Sequence, residues 1–238
     1  MTTPNVYTRC WFTTFLGRID AAVVEREVAF LSSVLPGAGS RVLDLCCGPG
    51  RHAIPLAEFG FRVTGLDRDA AALRDAASHG TTATFVRADM RRIPLATGGV
   101  DAVICMWQSF GHFDVAGNKA VLAEMARAVR PNGCVILDVY HREFHTAHLG
   151  ERTLDRSGDH IRERRSMDGD RLRVHLRYES TAVEEKFEWQ LCTPSELVAV
   201  ASDFGLELRL ACAEFDAPTP ASAEYARMQI VFGRTGTA

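Results

Sequence analysis

The sequence predicts an α/β fold built on a mainly parallel sheet with helices on both faces. Three short apolar runs follow one another at Arg41–Leu45, Phe61–Leu66 and Thr82–Arg87, each ending on a polar or glycine-rich signal. Stretches of helical character separate them, so the runs read as strands of successive strand–helix units. At 238 residues and 47% hydrophobic, the chain can bury the full core of one elaborated domain.

The first run flows into Cys46-Cys47-Gly48-Pro49-Gly50, where only a tight turn fits. A helix from His52 to Phe59 follows and stops at Gly60, with Pro55 near its start, where a missing N–H costs little. Glycines in such a turn let backbone N–H groups approach a ligand at the positive end of a helix dipole. The second strand ends on Asp67, and Asp69 is placed to cap a helix that stops before Gly80. The third ends on Asp89. A carboxylate at the second tip can hold both hydroxyls of a ribose, and one at the third can accept a bond from an adenine amino group. All three tips lie on the edge where α/β sheets bind ligands, so the expected ligand is an adenosine compound. Gly48-Pro49-Gly50-Arg51-His52-Ala53 also fits the looser dinucleotide form G-x-G-x-x-G/A, which keeps NAD open.

The N-terminal segment groups Tyr7, Trp11, Phe12 and Phe15 ahead of an amphipathic helix from Asp20 to Leu35. Beyond Asp89, a loop from Met90 to Gly99 leads to a fourth strand, Val100–Met106, and then to Trp107-Gln108-Ser109-Phe110-Gly111-His112-Phe113. A helix over Ala116–Val129 stops at Arg130-Pro131-Asn132-Gly133, and a fifth strand, Cys134–Tyr140, follows. In the next segment His141, His145 and His148 would share a helix face as metal ligands can, but no carboxylate completes a set, so no metal is assigned. Arg162–Ser166 and Arg171–Tyr178 read as a hairpin around Asp168-Gly169, with Val183–Leu191 as a third antiparallel strand. The arginine-rich face of this hairpin is read as solvated and balanced by neighbouring acids, the alternative being an arginine that grips a carboxylate on a ligand. Thr193-Pro194-Ser195-Glu196 is a capping box opening a helix that closes at Gly205. Leu206–Cys212 and Ala226–Phe232 supply the last strands, with a loop from Asp216 to Ala223 between them expected to border the ligand pocket.

Asp44 before the turn and acids after the second and third strands resemble the pattern of the class I S-adenosylmethionine (SAM) methyltransferases, whose first motif reads acid-x-Gly-x-Gly-x-Gly. Asp44, Gly48 and Gly50 match, and Cys46 replaces the first glycine. The stretch after the fourth strand is similar to the N-x-F-T-S-F-G-Y-F pattern of the small-molecule members, with Cys105 for Asn and His112 for Tyr. The Asn/Asp-Pro-Pro-aromatic motif of enzymes that methylate planar amino groups is absent. The resemblance implies a Rossmann-like seven-stranded sheet, with an N-terminal helical lid over 1–36, a core cofactor-binding half over 37–148, a small antiparallel β insertion over 149–192 and the rest of the sheet over 193–238. It implies SAM as cofactor, bound around Cys46, Gly48, Gly50, Asp67, Arg68, Asp89, Met90 and Met106. It also implies a small-molecule acceptor, of the kind met in specialised metabolism such as antibiotic biosynthesis. Histidine suits a general base at neutral pH, which makes His112 and His141, at the tips of the fourth and fifth strands, the catalytic candidates. Enzymes of the same fold that bind SAM without methylating, and nicotinamide-dependent oxidoreductases, are the alternatives.

A net charge of −3 and a pI near 6.2 argue against a nucleic-acid acceptor. No apolar run reaches membrane-spanning length and no signal peptide is evident, so a cytoplasmic location is expected. Seven cysteines without paired spacing read as reduced core thiols.

Overall fold

The computed structural model describes residues 5–17 and 19–236. Its larger sheet has eight strands in the order Asp216–Pro220, Leu206–Ala213, Arg227–Arg234, Val129–Tyr140, Val100–Cys105, Arg41–Leu45, Arg62–Asp67 and Thr84–Arg87. The parallel part comprises β1 (Arg41–Leu45), β2 (Arg62–Asp67), β3 (Thr84–Arg87), β4 (Val100–Cys105) and β5 (Val129–Tyr140). Strand β12 (Arg227–Arg234) pairs antiparallel with β5, and β10 (Leu206–Ala213) antiparallel with β12.

Alternation along the central strands divides the core. Leu43, Leu45, Val103 and Cys105 join Val121, Leu122 and Met125 of α5 (Val115–Ala128) and Leu197 of α7 (Pro194–Ser202) on one face. Val42, Ala102 and Ile104 join Val28 and Leu31 of α2 (Ala21–Val34) and Leu56 of α3 (Ala53–Glu58) on the other. Side chains of a strand point to opposite faces, so each strand feeds both layers and helices cover both sides.

The expected caps form. Asp69 accepts from the N–H groups of Ala71 and Ala72 at the start of α4 (Ala70–Ser78), and Thr193 with Glu196 makes the reciprocal capping box of α7. Gly60 follows α3 with φ 90°.

Two expectations are corrected. The sheet has an eighth strand, β11 (Asp216–Pro220), where a pocket-bordering loop is expected. Glu214 and Phe215 both take positive φ (57° and 58°), which reverses the chain tightly enough for a hairpin on the sheet's outer edge. The Arg130–Gly133 stop becomes a bulge: Val100 pairs with Val129 and Ala102 with Cys134, while Asn132 turns left-handed at φ 62°.

The insertion is a four-stranded antiparallel sheet of β6 (Gly150–Arg156), β7 (Asp159–Asp168), β8 (Arg171–Tyr178) and β9 (Glu184–Gln190). The Asp168-Gly169 hairpin is present, with Gly169 at φ 60°. Its apolar face (Ile161, Leu172, Leu176, Tyr178, Phe187, Trp189) packs on Tyr7, Trp11 and Phe15 and on Tyr140 at the end of β5. The N-terminal part is α1 (Arg9–Trp11) running into a π-helical turn, Phe12–Leu16. Arg162, Arg164, Arg173 and Arg177 are exposed and pair with Glu179, Glu151, Asp168 and Glu184, the solvated face the sequence suggests. Among the described residues, no helix is long and apolar enough to cross a membrane.

Candidate active site

The ends of β1 to β4 and the N-terminal segment enclose a cavity of about 660 Å³. Residues 46, 48 and 50 of the turn after β1 all take left-handed φ, at 63°, 54° and 85°. Two are glycines, and Cys46 accepts the conformation at a cost of order 1–2 kcal/mol. A Cβ on Gly48 would meet nothing within 4 Å, so this glycine leaves open space beside the cavity it lines. Gly50 does not line the cavity. A Cβ there would come within 3.0 Å of Ile54 and 3.3 Å of Ala76, so it serves turn and packing.

The tip of β2 is tied to this turn. Asp67 accepts from the Gly48 N–H through Oδ2 (2.8 Å) and from the Asp69 N–H through Oδ1 (2.9 Å). The Gly48 N–H therefore holds a protein carboxylate, whereas the sequence suggests it points at a ligand. Each Asp67 oxygen keeps a lone pair for one further donor. Asp44 below the turn is 1% exposed, and its Oδ2 has no partner among the described residues. Burial, opposed by Arg51 and reinforced by Asp67, pushes its carboxyl up to about 7. An acceptor atom buried without a donor is a vacancy suited to an incoming cation or N–H.

Asp89 lines the cavity with its carboxylate already engaged. Arg91 donates its backbone N–H (2.8 Å), Nε (3.0 Å) and Nη2 (2.6 Å) to it, and its guanidinium lies 4.4 Å from the Phe113 ring centre. That hydrogen-bonded pair holds the Asp89 carboxyl below its ordinary range. Met90, whose sulfur lies 3.5 Å from Cys46 Sγ, Met106 and Arg68 also line the cavity.

Beyond β4, Trp107 and Gln108 take successive positive φ (56° and 58°), a strained turn held by the fully buried Asp138 of β5. The Asp138 carboxylate accepts from Trp107 N–H (2.9 Å), Gln229 Nε2 (2.8 Å) and Arg227, and its C=O accepts from Gln108 N–H (3.0 Å). The guanidinium carbons of Arg51 and Arg227 lie 5.0 and 5.3 Å from the Trp107 ring centre. Arg51 and His52 both bond Glu27, a buried carboxylate of α2, at 2.6 and 2.8 Å. Burial works to raise the Glu27 carboxyl, and these two partners outweigh it and hold it low. Asn5, Tyr7, Trp11 and Phe12 line the opposite wall, with Tyr7 4.5 Å from Trp11 and 5.0 Å from Phe187 between ring centres.

Residues 42–133 match a family model described as a methyltransferase domain. Over that segment the chain is similar to methyltransferase domains. A glycine/sarcosine N-methyltransferase of Parasynechococcus marenigrum is 36% identical over 130 residues, 52% of this chain and 45% of that protein. The chain spans about half the length of the curated relatives it matches. An S-adenosylmethionine-dependent methyltransferase from Clostridium acetobutylicum superposes with a TM-score of 0.79 at 14% identity, over 95% of this chain and 97% of that one. An amino pentose methyltransferase of calicheamicin biosynthesis from Micromonospora echinaspora, solved with SAM bound, gives 0.71 at 21% identity, over 98% and 100%.

The sequence-derived residues Cys46, Gly48, Asp67, Arg68, Asp89, Met90, Met106 and His112 come together on one cavity, and Gly50 stands behind it. His141 does not line the cavity. It is 2% exposed, and its N–H donates to Ala226 at 3.0 Å, because the chain bends into α6 (Arg142–Ala147) directly after β5. The three imidazoles in and around that helix are used separately: His145 lies against Ala226 C=O and Arg165, and His148 stacks on Phe144. Sequence reasoning did not single out Asn5, Arg51 or Trp107. Arg51 carries a sequence signal as the cation directly after the glycine turn, and Trp107 as an aromatic in the stretch after the fourth strand.

Proposed function

We propose that the protein transfers a methyl group from SAM to a small-molecule acceptor lying between the strand tips and the N-terminal aromatic segment. The observation that carries this reading is the cavity itself, which gathers the glycine turn, Asp67 and Asp89 of three successive strand ends and faces them with Tyr7 and Trp11. The residues fit the cofactor. Asp67 has lone pairs free for ribose hydroxyls, the orphaned Asp44 Oδ2 suits a cationic group, and Gly48 leaves space a side chain would fill. Cys46, Arg68, Met90 and Met106 border the same space, and Asp89 can take an adenine amino group by sharing its carboxylate with Arg91. The bound sulfonium supplies an activated methyl group. The chain's own task is then to orient the acceptor and exclude water, which the aromatic wall favours.

We place a lid over 1–36 around Tyr7 and Trp11, the cofactor half over 37–148, the antiparallel insertion that packs behind those two aromatics over 149–192, and the remaining strands over 193–238. Likeness to an amino pentose methyltransferase of calicheamicin biosynthesis supports an acceptor from specialised metabolism. The test is calorimetric titration with SAM and S-adenosylhomocysteine, followed by turnover with a panel of amino sugars and related small molecules. Binding of both and release of S-adenosylhomocysteine is expected. Failure of either nucleoside to bind would overturn the reading, and methylthioadenosine as product would move the protein to the non-methylating SAM enzymes.

A further inference from the structure

His112 has one ring nitrogen engaged and one free. Its Nδ1 lies 2.8 Å from Asn5 Nδ2, and among the described residues no hydrogen bond reaches Nε2 of this cavity-lining ring. The direction of the Asn5–His112 bond follows from the other contacts of the amide. Asn5 Oδ1 accepts from the Glu188 N–H at 2.8 Å, and Asn5 Nδ2 donates to the Glu188 C=O at 3.0 Å. A backbone N–H can only donate and a carbonyl only accept, so β9 fixes which end of the amide is nitrogen. The second hydrogen on Nδ2 is then the one aimed at His112, whose Nδ1 must accept it. A neutral imidazole accepting at Nδ1 carries its proton on Nε2.

We propose that Asn5 is a positioning residue that locks His112 as the Nε2–H tautomer, so that His112 meets the acceptor as a hydrogen-bond donor and takes no proton from it. The proposal deepens the reading of the cavity as an acceptor site and rests on it. Arg68 donates to the Asn5 C=O and fixes its backbone, while Asn5 is 6% exposed, so the amide has little freedom to turn. Burial and the Arg68 cation hold His112 at about 4, which agrees with a ring kept neutral. The acceptor class follows. It presents an oxygen or nitrogen lone pair to Nε2–H, such as a hydroxyl or carbonyl next to the methylated atom, and its nucleophile loses its proton to solvent or to another group.

Long-range proton–nitrogen spectra of the full chain labelled with 15N-histidine, taken without cofactor at neutral pH, test the lock directly. His112 is assigned by the signal lost in His112→Gln. The expected pattern is a protonated Nε2 and a bare Nδ1, with Asn5→Asp reversing the tautomer or charging the ring. A protonated Nδ1 or a rapid tautomer mixture in the wild type overturns the proposal, whether or not any Asn5 variant folds. For the donor role, His112→Gln keeps an N–H and is expected to retain kcat within about tenfold, whereas His112→Phe raises KM. A loss of about 100-fold or more in both variants is what a general base would give, and it overturns the donor role. The spectra are indifferent to methyl transfer, so failure of the wild type to turn over would count against the activity and leave the tautomer assignment standing.

Discussion

At the scale of single residues, the site rests on two carboxylates in different surroundings. Asp67 is held by two backbone donors and keeps a lone pair on each oxygen for a ligand. Asp67→Ala is expected to weaken SAM binding by about 1.5–3 kcal/mol, roughly 10- to 150-fold in Kd, measured by calorimetry. Asp44 is buried with an orphaned oxygen and sits at about 7. A cation delivered beside it favours the ionised form, so binding releases a proton below that pH, and affinity rises with pH up to about 7 before levelling. Titrations at pH 6 in buffers of different ionisation enthalpy check this, and heats that do not depend on the buffer would argue against it. Asp67 was legible because a carboxylate ending an apolar strand beside a glycine turn has a pattern. Asn5 was not, since its partners His112 and Glu188 lie 107 and 183 residues away and nothing local marks the pairing.

At the scale of elements, the parallel strands, their caps and the Asp168-Gly169 hairpin follow from local signals that agree with the packing. What escaped was edge structure. Strand β6 alternates little between apolar and polar residues and is mostly exposed, and β11 carries two prolines. Backbone pairing with a neighbour, which composition does not encode, makes each a strand. The strand-tip geometry depends on Asp138, which ties β4, β5 and β12 together through a buried ion pair with Arg227. Asp138→Ala leaves that cation and the Trp107 N–H without a partner. A loss of about 3–5 kcal/mol is expected in urea unfolding. The N-terminal turn is held to the insertion by aromatic contacts and by the Thr8 N–H donating to Glu185 at 3.1 Å. Tyr7→Ala is therefore expected to raise the acceptor KM more than the SAM Kd, which initial rates and calorimetry separate.

For the molecule as a whole, several imidazoles are kept neutral inside the fold. Burial lowers His112 to about 4 and His145 to about 3, and it lowers His52 and His141 as well. A folded value below the unfolded one means that the unfolded chain takes up the proton first. The stability is complete above about 6.5 and is lost as pH falls from there toward 4, at about 1.4 kcal/mol per pH unit for each such proton. Asp44 acts in the opposite sense, since its raised value favours the fold on acidification, but it is one group against four. The net expectation is a melting temperature that falls steadily between pH 6.5 and 4, followed by calorimetric scans. The chain has three tryptophans, and all of them gather here: Trp11 and Trp107 line the cavity, and Trp189 lies 6.2 Å from His112. Intrinsic fluorescence should therefore report occupancy without any added label, so that a plate reader can sort candidate acceptors by quenching before a single product is isolated.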